Sequence, residues 1–217
     1  MAAEEALEEI AAEVRVCTKC DLCLNTKNGV PGEGSPHAEV LFIGEAPGYH
    51  EDRQGRPFVG PAGQFLNELL GSVGLDRSTV FITNVVKHRP PENRDPLPDE
   101  IAACSDYLTR QIAAINPKVI VTLGRFSMAR FFPGAKISAI HGQARKIDGR
   151  IVVAMYHPAA ALHQQTLRQT VIDDFKRAIP PALAEARRLE AEGKPGNKDS
   201  QNEDKDEGEP PKQLSLF

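Results

Sequence analysis

No run of 18 apolar residues occurs in the 217-residue chain, which excludes a membrane-spanning helix of ordinary length. The phosphate-cradling patterns GxGxxG and GxxxxGK[ST] are also missing, so a nucleotide-binding α/β domain has little support here. The opening stretch MAAEEALEEIAAEV has neither the basic nor the apolar region of a secretory signal. Cysteine is scarce, four in all, and three of them stand as Cys17-x-x-Cys20-x-x-Cys23. In a chain expected to be cytoplasmic, that spacing suggests metal before disulfides.

What is present is ordinary for a globular protein: 41% hydrophobic and 26% charged residues. The net charge of −4 is unevenly spread. Residues 190–217 hold eight acids and four lysines, and residues 1–15 hold five acids and one arginine. The body between them is therefore net positive, which suits a polyanionic ligand. Residues 1–188 read as one domain that begins with a helix over 3–15, where Leu7, Ile10, Ala11 and Val14 fall at helical spacing. Residues 189–212 have almost no apolar side chains and read as a disordered acidic linker. The pentapeptide Gln213-Leu214-Ser215-Leu216-Phe217 follows it.

Four short apolar runs, Val40–Ile43, Val80–Thr83, Val119–Leu123 and Ile151–Met155, are aliphatic on both faces. Strands covered on both sides by helices have that composition. Helical stripes lie between or after them: Phe65, Leu66, Leu69, Leu70 and Val73; Ile101, Cys104, Leu108, Ile112 and Ile115; and a segment from Gln164 to about Arg188. The alternation predicts a three-layer α/β/α sandwich around a four-stranded parallel sheet. Ligands of such sheets sit at the carboxyl ends of the strands. Those ends here carry Gly44-Glu45-Ala46-Pro47-Gly48, Asn84, Gly124-Arg125 and His157-Pro158. Each alone could be a loop cap; their convergence on one rim marks a site.

Four segments are recognisable: GEAPGYHEDRQGRPFVGPAGQFLNELL (44–70), ITNVVKHRPPENRDP (82–96), IAAC (101–104) and MYHPAAAL (155–162). In order and spacing, over roughly residues 16–180, they resemble the family 4, iron–sulfur uracil-DNA glycosylases. The resemblance implies hydrolysis of the bond between uracil and deoxyribose, leaving an abasic site, on a nucleotide flipped out of single- or double-stranded DNA. Phe58 resembles the platform on which the flipped base stacks. Asn84 resembles the amide that reads the uracil edge, accepting from N3–H and donating to O4. His157 stands where the family's histidine bonds uracil O2 as negative charge develops. Glu45 resembles a carboxylate that stabilises the sugar cation or orients water, with Gly44 and Ala46 in the same substrate-binding turn. The family 1 enzymes carry an aspartate where this chain has Ala46. Glu51 resembles the residue that crowds the methyl group of thymine. Lys87, Arg89, Arg94 and Arg125 lie near the rim as candidate phosphate contacts. Leu162 and His163 are candidates to fill the gap left by the flipped base. His141 and Gln143, in the HGQ turn, are explained as well by a hairpin and stay outside the candidate site.

The resemblance also implies a [4Fe-4S] cluster held by Cys17, Cys20, Cys104 and the residue after NVVK. That residue is His88 rather than the family's cysteine. His88 is the first choice for fourth ligand and Cys23 the second; a Cys3His zinc site would satisfy the same donors. A branch of the superfamily that crosslinks itself to the abasic sugar has a long basic insertion at this point. The segment RPPENRDPLPDE is short and lacks it, so a turning-over hydrolase is expected. The rival class is a non-catalytic, cluster-bearing DNA-binding protein. QLSLF is similar to the pentapeptide with which bacterial repair proteins bind the sliding clamp. Its 24-residue linker would span roughly 25–30 Å. The protein is expected to be a monomer of the bacterial cytoplasm, associated with the nucleoid and not with membranes.

Overall fold

The computed structural model describes residues 2–193. The chain begins with helix α1 (Ala3–Arg15), a 3-10 turn (Asp21–Asn25) and a two-residue strand β1 (Glu33–Gly34). Strand β2 (Val40–Gly44), helices α2 (Tyr49–Gln54) and α3 (Pro61–Ser72), strand β3 (Phe81–Asn84), helix α4 (Pro98–Ile115) and strand β4 (Val119–Leu123) follow. Short helices α5 (Arg125–Ala129) and α6 (Ile137–Ile140) lead into the hairpin β5 (Ala144–Ile147) and β6 (Arg150–Met155). Helices α7 (Pro158–His163) and α8 (Gln165–Gly193) complete the described part.

The sheet runs in the order β1-β3-β2-β4-β6-β5. Its centre, β3-β2-β4-β6, is parallel and coincides with the four apolar runs. The expected four-stranded sheet is therefore six-stranded and mixed, because β1 and β5 pair antiparallel at its two edges. Neither edge strand has a buried residue, so no apolar run announces them. The β5–β6 hairpin turns at Asp148-Gly149, both with positive φ (48° and 78°), the Asp-Gly signature of a tight hairpin.

Residues alternate between faces along each strand. Val40, Phe42, Ile82, Val121 and Val153 pack under α3 and α8, where the rings of Phe42 and Phe175 stack at 6.2 Å. Leu41, Ile43, Phe81, Ile120 and Val152 face the opposite layer, with Leu108, Ile115, Met128 and Phe132. Ile10 and Val14 seat α1 against Tyr107 of α4. Helix α8 continues to Gly193, past the domain boundary expected at 188. Residues 194–217, with most of the linker and all of QLSLF, lie outside the described residues.

The chain leaves β2 toward β3 on one side and returns to β4 on the other. Loops after β2 and β4 thus diverge and open a crevice at the carboxyl ends of the parallel strands, the general ligand position in such sheets.

Candidate active site

A cavity of about 410 Å³ occupies that crevice, within the range of small-ligand pockets. Glu45, Ala46, Pro47, Gly48 and Glu51 line it from the β2 side, Phe58 from the loop before α3, Asn84 from β3, and His157 and His163 from α7 and its cap. The structure therefore brings together the carboxylate, amide, aromatic ring and imidazole singled out in the sequence.

Asn84 closes β3 directly beside Gly44 of β2. The residue is 1% exposed, and its Oδ1 is buried with no hydrogen-bond partner among the described residues. Leaving such an acceptor unpaired costs about 1–3 kcal/mol, so the oxygen calls for a donor brought into the crevice. A Cβ on Gly44 would stand 2.3 Å from that oxygen and 2.6 Å from the Phe58 ring. Only glycine lets the two groups close over the strand end.

Phe58 is buried, with φ at +50°, a conformation that costs about 1–3 kcal/mol for a residue with a side chain. Its ring lies 5.5 Å from the His157 imidazole, 28° from parallel. Several neighbours hold it there. Glu51 Oε1 accepts from the Val59 and Gly60 amides, both at 2.8 Å, and Oε2 accepts from Gly48 N–H at 3.2 Å. Glu51, expected to crowd a methyl group, is thus first a strut between the GEAPG turn and the Phe58 loop, although it also lines the cavity. Arg77 donates to the carbonyls of Phe58 (3.0 Å) and Pro57 and to Glu33 Oε1 (2.5 Å). Sequence reasoning missed Arg77 and Glu33: a lone arginine after α3 and a glutamate on a two-residue strand have no distinguishing pattern. Gly63 is required as well, because a Cβ there would meet the Phe58 carbonyl oxygen at 1.9 Å.

His157 caps α7. Its Nδ1 accepts from Ala159 N–H at 3.1 Å, which leaves the ring proton on Nε2. Burial pushes its pKa down to about 4, with the Glu51 charge opposing weakly. The ring is therefore a neutral Nε2–H donor at neutral pH. Gly124, with φ at +90°, admits the His157 Cβ, 3.1 Å from where its own would be. His141 bonds Asp174 at 2.6 Å and packs on Tyr156, the residue before His157, at 4.6 Å. His141 and Gln143 are not among the residues lining the cavity. Glu45 is half-buried at the mouth. Burial raises its pKa, Asp95 adds to the rise and Arg125 opposes it.

Lys87 must be withdrawn as a phosphate contact. It is completely buried, and Nζ donates to Thr83 Oγ1 (2.7 Å), the Asn84 carbonyl (2.9 Å) and Gln111 Oε1 (2.8 Å). Its work is to anchor the backbone of Asn84. Arg94 lines the cavity but forks onto Glu100 at 2.6 and 2.9 Å, and Arg125 pairs with Asp95. Arg89 donates to Asn93 Oδ1 at 2.7 Å. Leu162 is exposed on α7, and His163 stands at the cavity wall.

All four cysteines are free thiols, with Cys104 buried and the other three half-buried. Burial raises the Cys104 pKa, opposed by the backbone N–H and ammonium of Lys87 and reinforced by Cys20 and Cys17. Burial also raises Cys20, with Cys17, Glu100 and Cys23 adding to it. Three thiols thus share one neighbourhood, and Cys23 adjoins them through Cys20. His88 is buried and follows Lys87 directly in the chain. Burial lowers its pKa, opposed by Asp52. Among the described residues no preformed cage of three or more His, Cys, Asp or Glu side chains is present. The three neighbouring thiols are soft sulfur donors of the kind that hold an iron–sulfur group or zinc, whereas the charge that reaches His88 is that of Asp52.

Comparison with known proteins agrees with this geometry. The family model described as "Uracil DNA glycosylase superfamily" matches residues 31–179. A type-4 uracil-DNA glycosylase of Sulfurisphaera tokodaii is 48% identical over 195 residues, covering 84% of this chain and 88% of that protein. One from Thermotoga maritima is 44% identical, covering 81% of this chain and 94% of its own. A type-5 uracil-DNA glycosylase of Thermus thermophilus is 34% identical, covering 74% and 80%. The matched family model and these identities, over a crevice that holds a buried amide, an imidazole and an aromatic ring, make the chain a member of the uracil-DNA glycosylase superfamily, in its type-4 family.

Proposed function

We infer that this protein removes uracil from DNA by hydrolysing its N-glycosidic bond, leaving an abasic site. The observation that carries the reading is the buried, unpartnered Oδ1 of Asn84, which suits the N3–H of uracil. Cytosine presents an acceptor at that atom and a donor beside it, so it meets repulsion where uracil meets a pair. Bond breaking puts positive charge on the sugar and negative charge on the departing base. The Nε2–H of His157 meets the negative charge at uracil O2. Glu45 faces the sugar, where a carboxylate stabilises the cation and orients the water that adds to C1′. Phe58 offers its face to the base plane. Substrate DNA is single- or double-stranded, met at the rim by Arg89, Arg94 and Arg125, with Leu162 and His163 toward the vacated stack. A non-catalytic DNA-binding protein would have no use for an orphaned carboxamide under a strained aromatic ring. Release of free uracil from a uracil-containing oligonucleotide tests the reading; no release would reject it.

The chemistry of the thiol group supports a [4Fe-4S] cluster held by Cys17, Cys20, Cys104 and His88. Such a cluster would supply structural cross-linking, since hydrolysis transfers no electrons. Anaerobic purification is expected to give a brown protein with iron and acid-labile sulfide. His88→Ala bleaches it, whereas Cys23→Ser keeps the colour. The reverse pattern makes Cys23 the fourth ligand, and colourless protein with stoichiometric zinc rejects the cluster.

QLSLF supports a tether to the bacterial sliding clamp, with Leu216 and Phe217 as apolar anchors, Leu214 beside them, and Gln213 and Ser215 as polar contacts. A flexible tether raises local concentration without changing chemistry. Removing residues 213–217 is expected to abolish clamp binding in a titration while uracil release from short oligonucleotides persists. Undiminished clamp binding by the shortened chain would end the proposal. A monomer working in the bacterial cytoplasm, at the nucleoid, completes this reading. Among the described residues no helix is long and apolar enough to cross a membrane.

A further inference from the structure

Helix α2, at the mouth of the cavity, separates its charges by direction. Its two acids turn inward onto backbone amides. Glu51 takes Gly48, Val59 and Gly60, and Asp52 Oδ1 takes Lys27 N–H at 2.7 Å and Asn28 N–H at 3.1 Å. Tyr49, His50 and Arg53 are left facing solvent. Tyr49 follows the cavity-lining Gly48 and is 51% exposed, an unusual setting for a large aromatic ring. Two guanidinium groups lie over the ring: Arg89 with Cζ 5.3 Å from the centroid and Arg53 at 5.9 Å. The His50 ring stands edge-on to it at 5.5 Å and 84°. Arg89 is itself steadied by Asn93, which with Pro90 lines the opposite side of the mouth. Arg94 and Arg125 have acidic partners; among the described residues Arg53 and Arg89 have none in an ion pair.

A half-exposed aromatic ring carrying unneutralised cations supplies both halves of a single-strand site, because guanidinium groups that lie over the ring in the free protein can move onto phosphates and yield its face to a base. We propose that Tyr49 is a stacking platform for the base next to the extruded uracil, with Arg89 and Arg53 holding the phosphates on either side of it. A base within a duplex remains stacked on its neighbours and has no need of the ring. The platform therefore favours single-stranded substrate. This rests on the uracil-DNA reading, but its test does not depend on turnover.

The probe is a short single-stranded oligonucleotide with 2-aminopurine beside the uracil, titrated with the full chain. Wild type is expected to quench the fluorophore as its base stacks on the ring. Tyr49→Ala loses the quenching and binds about tenfold more weakly, and Tyr49→Phe, which keeps the ring, restores both. In a release assay the ratio of single-stranded to duplex kcat/KM falls about tenfold in Tyr49→Ala. Replacing the neighbouring nucleotides by abasic spacers removes the advantage of wild type and leaves the variant where it was. Equal losses for Tyr49→Ala on normal and spacer-flanked strands, or quenching that survives in it, would overturn the platform. If wild type quenches but releases no uracil, the proposed activity fails while the platform stands.

Discussion

Asn84→Ala is expected to lower uracil release about a thousandfold or more, the discrimination seen when a site built to pair a polar group loses that pairing. In the proposed uracil-binding mode the carboxamide makes two bonds of opposite polarity, so both are lost at once. Asn84→Asp fails similarly: an ionised carboxylate accepts from N3–H but cannot donate to O4. The distinguishing feature is stability. Oδ1 is unpaired in the folded protein, and its removal relieves an unsatisfied acceptor instead of breaking a bond. Thermal melting should therefore move by no more than about 2–4 °C, the shift produced by about 1 kcal/mol in a chain of this size. Loss of activity together with a collapse of the melting temperature would show Asn84 to be structural. Full activity in Asn84→Ala would remove it from the site.

His157→Ala is expected to lower release about 100- to 1000-fold, the usual cost of one donor aimed at a developing anion. Its pH behaviour is the sharper test. Burial holds the pKa of His157 at about 4, so the ring stays neutral from pH 8 down to 5 and contributes no titration there. Glu45 behaves in the opposite sense. Burial raises its pKa above the ordinary carboxylate value, and the anion is the form its proposed role requires. As pH falls, activity should decline through the raised Glu45 pKa before the histidine protonates, and Glu45→Gln should remove that limb from the profile of the residual rate. The linkage follows the same signs. The unfolded chain binds a proton on this histidine below its ordinary pKa, while the folded one excludes it. The His157 contribution is complete above about pH 6.5 and declines as pH falls toward 4. A profile with its midpoint near the ordinary histidine value, abolished by His157→Ala, would show that the working ring is a cation.

The central sheet and the rim residues could be read without a structure because parallel strands buried on both faces need continuous aliphatic runs. Those runs end where ligands bind, and Glu45, Asn84 and His157 sit at those ends. Edge strands β1 and β5 stay half in solvent, so their composition resembles a loop. Only pairing defines them. The character of each site group was likewise a tertiary matter. Residue type names Lys87 a cation, but a cavity walled by Thr83, Gln111 and the Asn84 carbonyl makes it a buried anchor. The resemblance implies that Glu51 crowds a methyl group, but three backbone amides converging from two loops make it first a strut. Arg77 and Glu33, far apart in the chain, acquire meaning only when the positive-φ Phe58 loop lies against them. Periodicity and spacing are local properties, so the chain alone shows which chemical groups stand at the strand ends. Which groups are paired, desolvated or left unsatisfied was decided by the tertiary structure, because burial and hydrogen-bond partners come from segments that have no sequence proximity.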